Sequence, residues 1–236
     1  MTGTAPRHSD ARVLEAWQEN AAPWTQTVRA QAIESRRLVT DRAVVDAALR
    51  LAPRSVLDLG CGEGWLSRAL CAHGLDVHGV DAIADLIDAA RGVRTDTDAP
   101  APAPRYDCLS YEDIAAGALR ARYDLAICNF SLLGDDSVAG LLGAIPGLLN
   151  PRGHVLIQTL HPPQACGEAP YVDGWRDGSW AGCDAAFGEP APWYFRTIGG
   201  WVALLERSGL RLRELAEPVH PLSGRPVSLM LIADAG

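Results

Sequence analysis

Residues 56–65 read Val-Leu-Asp-Leu-Gly-Cys-Gly-Glu-Gly-Trp. Four residues of strand character run into a glycine-rich turn, and a helical pattern follows until Gly74 ends it. In α/β domains, a strand, a glycine-rich turn and a helix in this order form a nucleotide site at the carboxyl end of the first strand. The stretch therefore predicts an α/β fold that binds a nucleotide-like ligand at this turn.

The residues within the turn indicate which ligand it holds. A dinucleotide loop of the form G-x-G-x-x-G places pyrophosphate on the helix N-terminus and uses a third glycine. Here Trp65 occupies the third position, Asp58 precedes the first glycine by two residues, and Glu63 lies inside the turn. Two carboxylates would repel a pyrophosphate. The turn instead suits an adenosine that carries a cationic group.

S-adenosylmethionine (SAM) has this chemistry, because it carries an ammonium and a sulfonium and no phosphate. Asp58 is the candidate partner of the ammonium, directly or through a water molecule. Asp81 follows Gly60 by 21 residues, at the end of the second predicted strand, where a carboxylate reaches both ribose hydroxyls. Two alternatives stay open: the glycines only form a tight βα turn, and Asp81 only caps the next helix.

Residues 56–65, together with Val80-Asp81, resemble motifs I and II of the class I SAM-dependent methyltransferases, in the group related to the ubiquinone-biosynthesis methyltransferases. The resemblance is motif-specific only as far as Asp81, although the overall pattern extends over residues 55–233. It implies a Rossmann-like seven-stranded sheet, mostly parallel with an antiparallel last strand, with helices on both faces and an N-terminal helical lid. The predicted cofactor-binding residues are Asp58, Gly60, Cys61, Gly62, Asp81, Ala82, Tyr111, Glu112, Asn129 and Phe130.

Two later strand ends depart from related proteins. After the third strand, Ser110 stands where relatives carry an aspartate for the adenine, so Tyr111 and Glu112 are the predicted substitutes, or they only cap the following helix. The fourth strand ends at Asn129-Phe130, which is expected to face the methionine part of SAM. Beyond Asn129 the sequence differs from the Asn-Pro-Pro-aromatic motif of methyltransferases that act on nucleic acid bases.

Composition narrows the functional classes. The 236 residues fit one large domain, or a domain with an appended lid. The formal net charge is −8 and no basic run appears, which argues against nucleic acid and anionic membranes as partners. Six cysteines form no C-x-x-C pair, so free thiols are expected and no metal site is predicted. Without a recognisable signal peptide or membrane span, a cytoplasmic protein is expected, while its oligomeric state is left open.

Residues 1–52 are predicted to form a helical lid on a SAM-binding domain of residues 53–236. A helical pattern runs from residue 10 to residue 51, and Asn-Ala-Ala-Pro-Trp at 20–24 indicates a break at which a lid bends. In methyltransferases of this kind, such helices cover the cofactor and part of the acceptor pocket. The lid candidates are Trp24, Arg29, Arg36 and Arg37. Alternatively, the tryptophans belong to the core and the arginines face solvent.

The second half of the chain supplies the rest of the sheet. Residues 95–104, rich in proline, alanine and aspartate, are expected to form a surface loop. The remaining predicted elements are the helix 111–119, the strand 123–129, the helix 135–149, the strand 154–160, the helix 197–208 and the strands 210–218 and 227–233.

Residues 161–196 form an insertion that is predicted to bind the acceptor. The regular pattern stops between residues 162 and 192, and long connections of this kind usually act as lids or binding loops. Aromatic rings give planar ligands a large contact area, and an arginine can anchor a carboxylate or stack. The predicted acceptor-binding residues are Trp24, Trp175, Trp180, Trp193, Tyr194 and Arg196. The alternative is a hydrophobic lid that closes on itself.

The predicted reaction is methyl transfer to a small, planar, aromatic or heteroaromatic metabolite. Positioning supplies much of the catalysis, and a base is needed only for a protonated acceptor such as a phenol, with a pKa of about 10. His161 is the candidate base for O-methylation, and His220 is a weaker one; the alternative is that His161 only fixes the turn before Pro162. N- or C-methylation, SAM binding without turnover and NAD-dependent oxidoreduction are the other hypotheses.

Overall fold

The chain folds into strands and helices, which the computed structural model describes over residues 6–93, 103–183 and 186–236. The strands in these ranges are β1 (Ser55–Leu59), β2 (Asp76–Asp81), β3 (Arg105–Cys108), β4 (Tyr123–Asn129), β5 (Leu149–Leu160), β6 (Gly174–Arg176), β7 (Trp193–Phe195), β8 (Leu210–Ala216) and β9 (Ser228–Ala235). The helices are α1 (Asp10–Arg29), α2 (Asp41–Arg50), α3 (Trp65–Cys71), α4 (Ala84–Arg91), α5 (Tyr111–Ala115), α6 (Asp136–Leu148), α7 (Pro162–Cys166) and α8 (Ile198–Arg207). Within the described ranges, no helix is both long and apolar enough to cross a membrane.

Seven of these strands form one sheet in the order β3-β2-β1-β4-β5-β9-β8. The five strands from β3 to β5 pair in parallel, whereas β9 runs antiparallel to both β5 and β8. The predicted Rossmann-like sheet, mostly parallel with an antiparallel last strand, is therefore confirmed. Its strand order reverses between β1 and β4, which is where open α/β sheets leave a crevice for ligands.

Both faces of the sheet are covered by helices. On one face, Val56 of β1 and Ile127 of β4 pack with α2 and α3. On the other face, Leu57 of β1 and Ala126 of β4 pack with α6 and α8. All four strand residues are fully buried. Burial on both faces explains why apolar residues are consecutive in these strands, as in Val56-Leu57 and Leu125-Ala126-Ile127-Cys128, and do not alternate with polar ones.

The predicted break at residues 20–24 is wrong, because α1 continues through Pro23 to Arg29. A proline inside a helix removes one backbone hydrogen bond. Packing compensates here: Ala21 is buried against Ile83, and the flanking tryptophans Trp17 and Trp24 pack on the same cluster. The chain leaves α1 further on, at Gln31, whose φ of 50° lies in the left-handed region. A π-helical turn, Arg36–Thr40, then leads into α2.

The insertion contains more regular structure than the sequence predicts. It begins with the short helix α7, and β6 pairs antiparallel with β7 to form a small hairpin outside the main sheet. The following helix α8 agrees with its prediction, since the Thr197 hydroxyl accepts the hydrogen bond of the Gly200 N–H as its cap. The hairpin strands are only three residues long, which is too short to show an alternating pattern.

Two other predicted elements have different ends in the structure, and one predicted loop lies mostly outside the described residues. Helix α5 ends at Ala115, four residues before the predicted end at Leu119. Strand β5 begins five residues early, at Leu149, because the expected turn at 150–153 lies within a register shift of the β4–β5 pairing. Residues 95–102 of the predicted surface loop 95–104 lie outside the part of the chain that the structure describes.

Replacing Gly79 with alanine should destabilise the fold. A Cβ at this position of β2 would come within 2.8 Å of the Tyr106 ring and 2.9 Å of Ser67 Oγ. Overpacking of this kind costs about 1–3 kcal/mol. The matched control is Gly143→Ala on α6, where an added Cβ meets nothing within 4 Å and helix propensity predicts a gain of about 0.5–1 kcal/mol. Urea unfolding of both variants measures the two changes; a stabilising Gly79→Ala would contradict the packing described for β2.

Candidate active site

A cavity of about 360 Å³ lies at the carboxyl ends of β1, β2, β4 and β5. Its size falls in the range of small-molecule and cofactor sites, and its position coincides with the crevice at which the strand order reverses. The glycine-rich turn and the strand ends form the floor, whereas α1 and residues from 179–183 and 193–196 form the opposite walls. The predicted cofactor and acceptor residues thus converge mainly on one space.

The turn after β1 is held by its neighbours on the sheet. Gly60 N–H and Cys61 N–H both donate to the Val80 carbonyl, at 2.8 and 3.0 Å. Gly60 has a φ of 74°, and a Cβ there would collide with Ser131 and come within 2.7 Å of the Tyr111 hydroxyl. Only glycine fits both the conformation and the space. The turn is therefore a rigid part of the cavity floor.

Asp81 is the carboxylate that reaches the cavity from the end of β2. Gly62 N–H donates to its Oδ2 and Ile83 N–H donates to its Oδ1, both at 2.9 Å. Burial raises the pKa of this carboxyl, although the same two backbone N–H groups oppose the shift. Each oxygen of a carboxylate accepts more than one hydrogen bond, so both retain lone pairs for a ligand. Asp81 is not the N-cap residue of α4, because Ile83 occupies that position. Its carboxylate instead accepts the hydrogen bond of the Ile83 N–H, in the turn before the helix.

The other two carboxylates of this region do not face the cavity as free acceptors. Asp58 is 1% exposed, lies behind the turn and accepts a hydrogen bond from the Ser67 hydroxyl at 2.6 Å. Burial raises its pKa to about 7, against the opposing effect of the Ser67 bond. Glu63 lines the cavity, but its carboxylate is bound by Arg68 at 2.7 Å and by Arg29 at 3.2 Å. The charge repulsion expected from the sequence therefore comes chiefly from Asp81.

The cavity extends past Asp81 to the start of α5. Ala82, Tyr111 and Glu112 all line it. The helix is capped by Ser110, whose hydroxyl accepts the hydrogen bond of Asp113 N–H while Asp113 accepts that of Ser110 N–H. Tyr111 and Glu112 are thus not needed as caps. The Tyr111 hydroxyl donates to the Ser131 carbonyl at 3.2 Å, whereas the Glu112 carboxylate has no partner among the described residues.

The floor continues at the end of β4, where Asn129 and Phe130 line the cavity. Phe130 has a φ of 54°, a conformation that is rare outside glycine and that concentrates at functional sites.

Arg36 also lines the cavity, and its guanidinium lies 4.9 Å from the Trp65 ring centroid. Its Nε donates to Asp41, and its two Nη atoms have no partner within the described ranges.

The acceptor side is rich in aromatic rings. Six of the seven tryptophans line the cavity: Trp17, Trp24, Trp65, Trp180, Trp193 and Trp201. Of the predicted acceptor residues, Trp24, Trp180, Trp193, Tyr194 and Arg196 are on the wall. Trp175 is not; it supports Tyr194 through an edge-to-face contact at 5.6 Å.

Arg196 lies on the wall but already has partners for its charge and its donors. It donates to the Gly134 carbonyl at 2.8 Å and to Asp135 Oδ1 at 3.1 Å. Its guanidinium also lies over the Tyr194 ring, at 4.6 Å from the centroid. The side chain is 4% exposed. The charge and most of the donors of this arginine are therefore engaged within the protein itself.

Helix α1 is fixed to the rest of the structure at both ends and in its middle. Near its start, Asp10 accepts hydrogen bonds from Asp135 N–H and the Ser137 hydroxyl, at 2.8 and 2.9 Å, at the beginning of α6. In its middle, Asn20 accepts the hydrogen bond of Gly188 N–H at 2.7 Å. At its end, Arg29 pairs with Glu63 of the glycine-rich turn. These contacts hold α1 and the insertion together over the cavity.

His161 follows β5 directly but does not line the cavity. It is 4% exposed, and its Nε2 lies 2.7 Å from Glu217 Oε1. Because a carboxylate only accepts at neutral pH, this contact places the ring proton on Nε2. Nδ1 is buried and has no hydrogen-bond partner among the described residues. His220 also lies off the wall; its Nδ1 accepts from Leu222 N–H in the loop before β9.

A family model described as a methyltransferase domain matches residues 31–215. The chain belongs to this methyltransferase family. The resemblance to class I SAM-dependent methyltransferases is thereby confirmed. Among curated relatives, the ubiquinone biosynthesis O-methyltransferase of Paraburkholderia phytofirmans is 35% identical over 127 residues, which are 50% of this chain and 49% of that protein. The chain thus spans about half the length of the curated relatives it matches.

Solved methyltransferases share the fold of this family member. A SAM-dependent methyltransferase from Mesorhizobium loti superposes with a TM-score of 0.59 at 23% identity, covering 81% of this chain and 95% of the other. The Burkholderia thailandensis 1,6-didemethyltoxoflavin-N1-methyltransferase, with bound 1,6-didemethyltoxoflavin and S-adenosylhomocysteine, gives 0.63 at 17% identity, covering 98% and 92%. At these identities the likeness concerns the fold.

Three features of this methyltransferase domain are absent from the sequence predictions. Glu63 binds two arginines, Arg36 lies over Trp65, and Gln158 forms a buried polar contact with Asn129. The Glu63–Arg29 pair and the Arg36–Trp65 contact join segments that are distant in sequence, so only the fold reveals them. A signal for the third was present, because Gln158 directly follows the apolar run from Val155 to Ile157 inside a predicted strand.

Replacing Asp58 with asparagine should stabilise the protein in a pH-dependent way. The folded-state pKa of about 7 exceeds the ordinary value of 3.8, so the folded protein holds a proton that the unfolded chain releases between these values. The free energy of unfolding therefore decreases as pH rises from about 4 toward 7, and Asp58 accounts for at most about 1.4 kcal/mol of this decrease per pH unit. Asparagine does not titrate and still accepts from Ser67. Thermal unfolding should show a larger advantage of Asp58→Asn at pH 8 than at pH 5; equal differences at both pH values would refute the raised pKa.

Proposed function

We propose that this protein transfers the methyl group of SAM to a small-molecule acceptor. The observation that carries the proposal is the Asp81 carboxylate, which stands beside the glycine-rich turn with lone pairs left on both oxygens. Among the residues that the structure describes, no cation is paired to it. Such a group accepts hydrogen bonds from ribose hydroxyls and repels phosphate. Bound SAM supplies an activated methyl group, so the protein has to align the acceptor and exclude water.

The wall residues fit the parts of SAM by their chemistry. Asp81 would take the ribose hydroxyls, and Tyr111 with Glu112 would border the adenine. Arg36, with two Nη groups free among the described residues, would meet the methionine carboxylate as a bidentate donor. Asp58 lies behind the turn, so its contact with the ammonium would need a bridging water, the second of the two possibilities given by the sequence.

Calorimetric titration with S-adenosylhomocysteine tests the cofactor assignment. Asp81→Ala should weaken binding by about tenfold or more, because hydrogen bonds to a charged group contribute about 1.5–3 kcal/mol each. The matched control is Asp76→Ala, which removes an exposed carboxylate from the opposite end of the same strand and should leave the affinity unchanged. NAD should produce no binding heat. Preferential binding of NAD, or equal affinities of the two variants, would contradict the proposal.

We further propose that the acceptor is a small aromatic or heteroaromatic metabolite and that oxygen is methylated. Trp24, Trp180, Trp193 and Tyr194 offer flat apolar surfaces on both walls of the cavity. The engaged state of Arg196 favours an acceptor without a carboxylate at that point. The curated relatives, named as O-methyltransferases, support oxygen as the reacting atom. On this proposal, residues 1–52 act as a lid and residues 161–196 as the acceptor-binding insertion.

His161 remains the proposed general base for a phenolic acceptor. With the proton on Nε2 and directed to Glu217, the lone pair of Nδ1 is available for a proton. Glu217 would orient the ring, as the third group of a catalytic triad does. Because Nδ1 is buried and off the wall, this function requires a movement of the residues after β5 when the acceptor binds.

Turnover with a panel of phenols tests the base. His161→Ala should lower kcat by about 10²- to 10⁴-fold on the best phenol, while the affinity for S-adenosylhomocysteine stays the same. His220→Ala, in the neighbouring loop, is the control and should retain the activity of the wild type. Nearly unchanged turnover of His161→Ala would show that the histidine serves only the turn before Pro162.

A further inference from the structure

A chain of buried polar groups crosses three adjacent strands at the cavity floor. Gln158 of β5 is 1% exposed, and Ser228 of β9 is fully buried. Gln158 Nε2 lies 3.0 Å from the Thr40 carbonyl and 2.8 Å from Asn129 Oδ1, and the Ser228 hydroxyl lies 3.2 Å from Gln158 Oε1. Buried polar groups are costly unless they are all satisfied. Their presence between apolar strands therefore calls for a function.

The directions of these hydrogen bonds follow from one group. The Thr40 carbonyl can only accept, so the Gln158 atom that faces it must be the NH2 group. One hydrogen of this NH2 goes to Thr40, and the other points at Asn129. The Asn129 atom that receives it must then be the carbonyl oxygen, Oδ1. A single backbone carbonyl thus fixes the orientation of two side-chain amides.

Asn129 consequently presents its NH2 group, Nδ2, to the cavity as a hydrogen-bond donor. Its Oδ1 is engaged by Gln158, whereas Nδ2 has no hydrogen-bond partner in the part of the chain that the structure describes. Asn129 is partly exposed and lines the cavity at the end of β4. Neighbouring strands are about 4.8 Å apart, so it lies two strands from Asp81, toward the aromatic acceptor walls.

We propose that the Asn129 N–H donor, held by Gln158, docks an oxygen of the acceptor and selects hydroxyl over amino acceptors. The inference rests on the proposed methyl transfer. A phenolic oxygen has lone pairs both for the hydrogen bond and for attack on the methyl group. An amine nitrogen has one lone pair, which the attack consumes, and its own N–H groups would oppose the donor. The donor also stabilises the phenolate, which lowers the pKa of the docked hydroxyl.

Two chromophoric probes of similar shape test the inference on the complex with S-adenosylhomocysteine. 4-Nitrophenol changes its absorbance on ionisation, so its pKa can be read while it is bound; 4-nitroaniline replaces the hydroxyl by an amino group. Wild type should bind 4-nitrophenol with a lowered pKa. Asn129→Asp, which offers an acceptor of negative charge in place of the donor, should weaken 4-nitrophenolate binding by about tenfold or more. Its affinity for 4-nitroaniline should not fall.

Gln158→Met tests the positioning of the amide separately. The substitution conserves side-chain volume but removes the hydrogen bond that fixes the Asn129 amide, so this amide can rotate. Binding of 4-nitrophenolate should weaken by about two- to tenfold, because one neutral hydrogen bond contributes a free energy of that size. The control is Gln164→Met on the exposed side of α7, which should change nothing. If Gln158→Met does not fold, Asn129→Asp alone still decides between the outcomes.

The two proposals fail in different ways. Absence of S-adenosylhomocysteine binding by wild type would overturn the proposed methyl transfer. Intact S-adenosylhomocysteine binding, combined with a 4-nitrophenol affinity and pKa that Asn129→Asp leaves unchanged, would overturn only the function assigned to Asn129. The function assigned to Asn129 would also be overturned if the wild-type complex did not bind 4-nitrophenol. The same conclusion would follow if Asn129→Asp weakened the binding of 4-nitroaniline as much as that of 4-nitrophenolate.

Discussion

The Asp81 carboxylate connects the two parts of the fold on which the site depends. One oxygen accepts from Gly62 N–H in the turn after β1, and the other accepts from Ile83 N–H in the turn before α4. Both bonds fix the shape of the floor before any ligand arrives. Preorganisation of this kind lowers the cost of ordering the site during binding. The same side chain therefore stabilises the turn and offers its remaining lone pairs to a ligand.

The sequence predicts the floor of the cavity better than its walls, for a physical reason. The turn at 60–64 and Asp81 belong to a local βα pattern, in which spacing along the chain sets position in space. Arg29 and Glu63, or Asn20 and Gly188, meet only because distant segments fold together. No periodicity reports such pairs. The course of α1 through Pro23 shows the same limit, because tertiary packing there outweighs the local preference of proline.

Most charges around the cavity are neutralised by structural partners. Glu63 is bound by two arginines, Arg196 is bound by Asp135, and Asp10 binds the start of α6. These contacts engage the charge of Arg196 within the protein, which residue type alone does not reveal. Against the apolar walls, each polar group without a partner has a large effect on selectivity, since a ligand that leaves it unsatisfied loses the corresponding hydrogen bond.

The crowding of six indole rings around one cavity has an optical consequence. Indole emission depends on the polarity and the contacts of the ring, and here nearly all of the emitting groups lie where a ligand would displace water. Trp175, the seventh, lies on β6 outside the wall and contacts Tyr194 of β7. The protein therefore contains an intrinsic fluorescent reporter of ligand occupancy, and stopped-flow emission can follow the arrival of cofactor and acceptor without any added label.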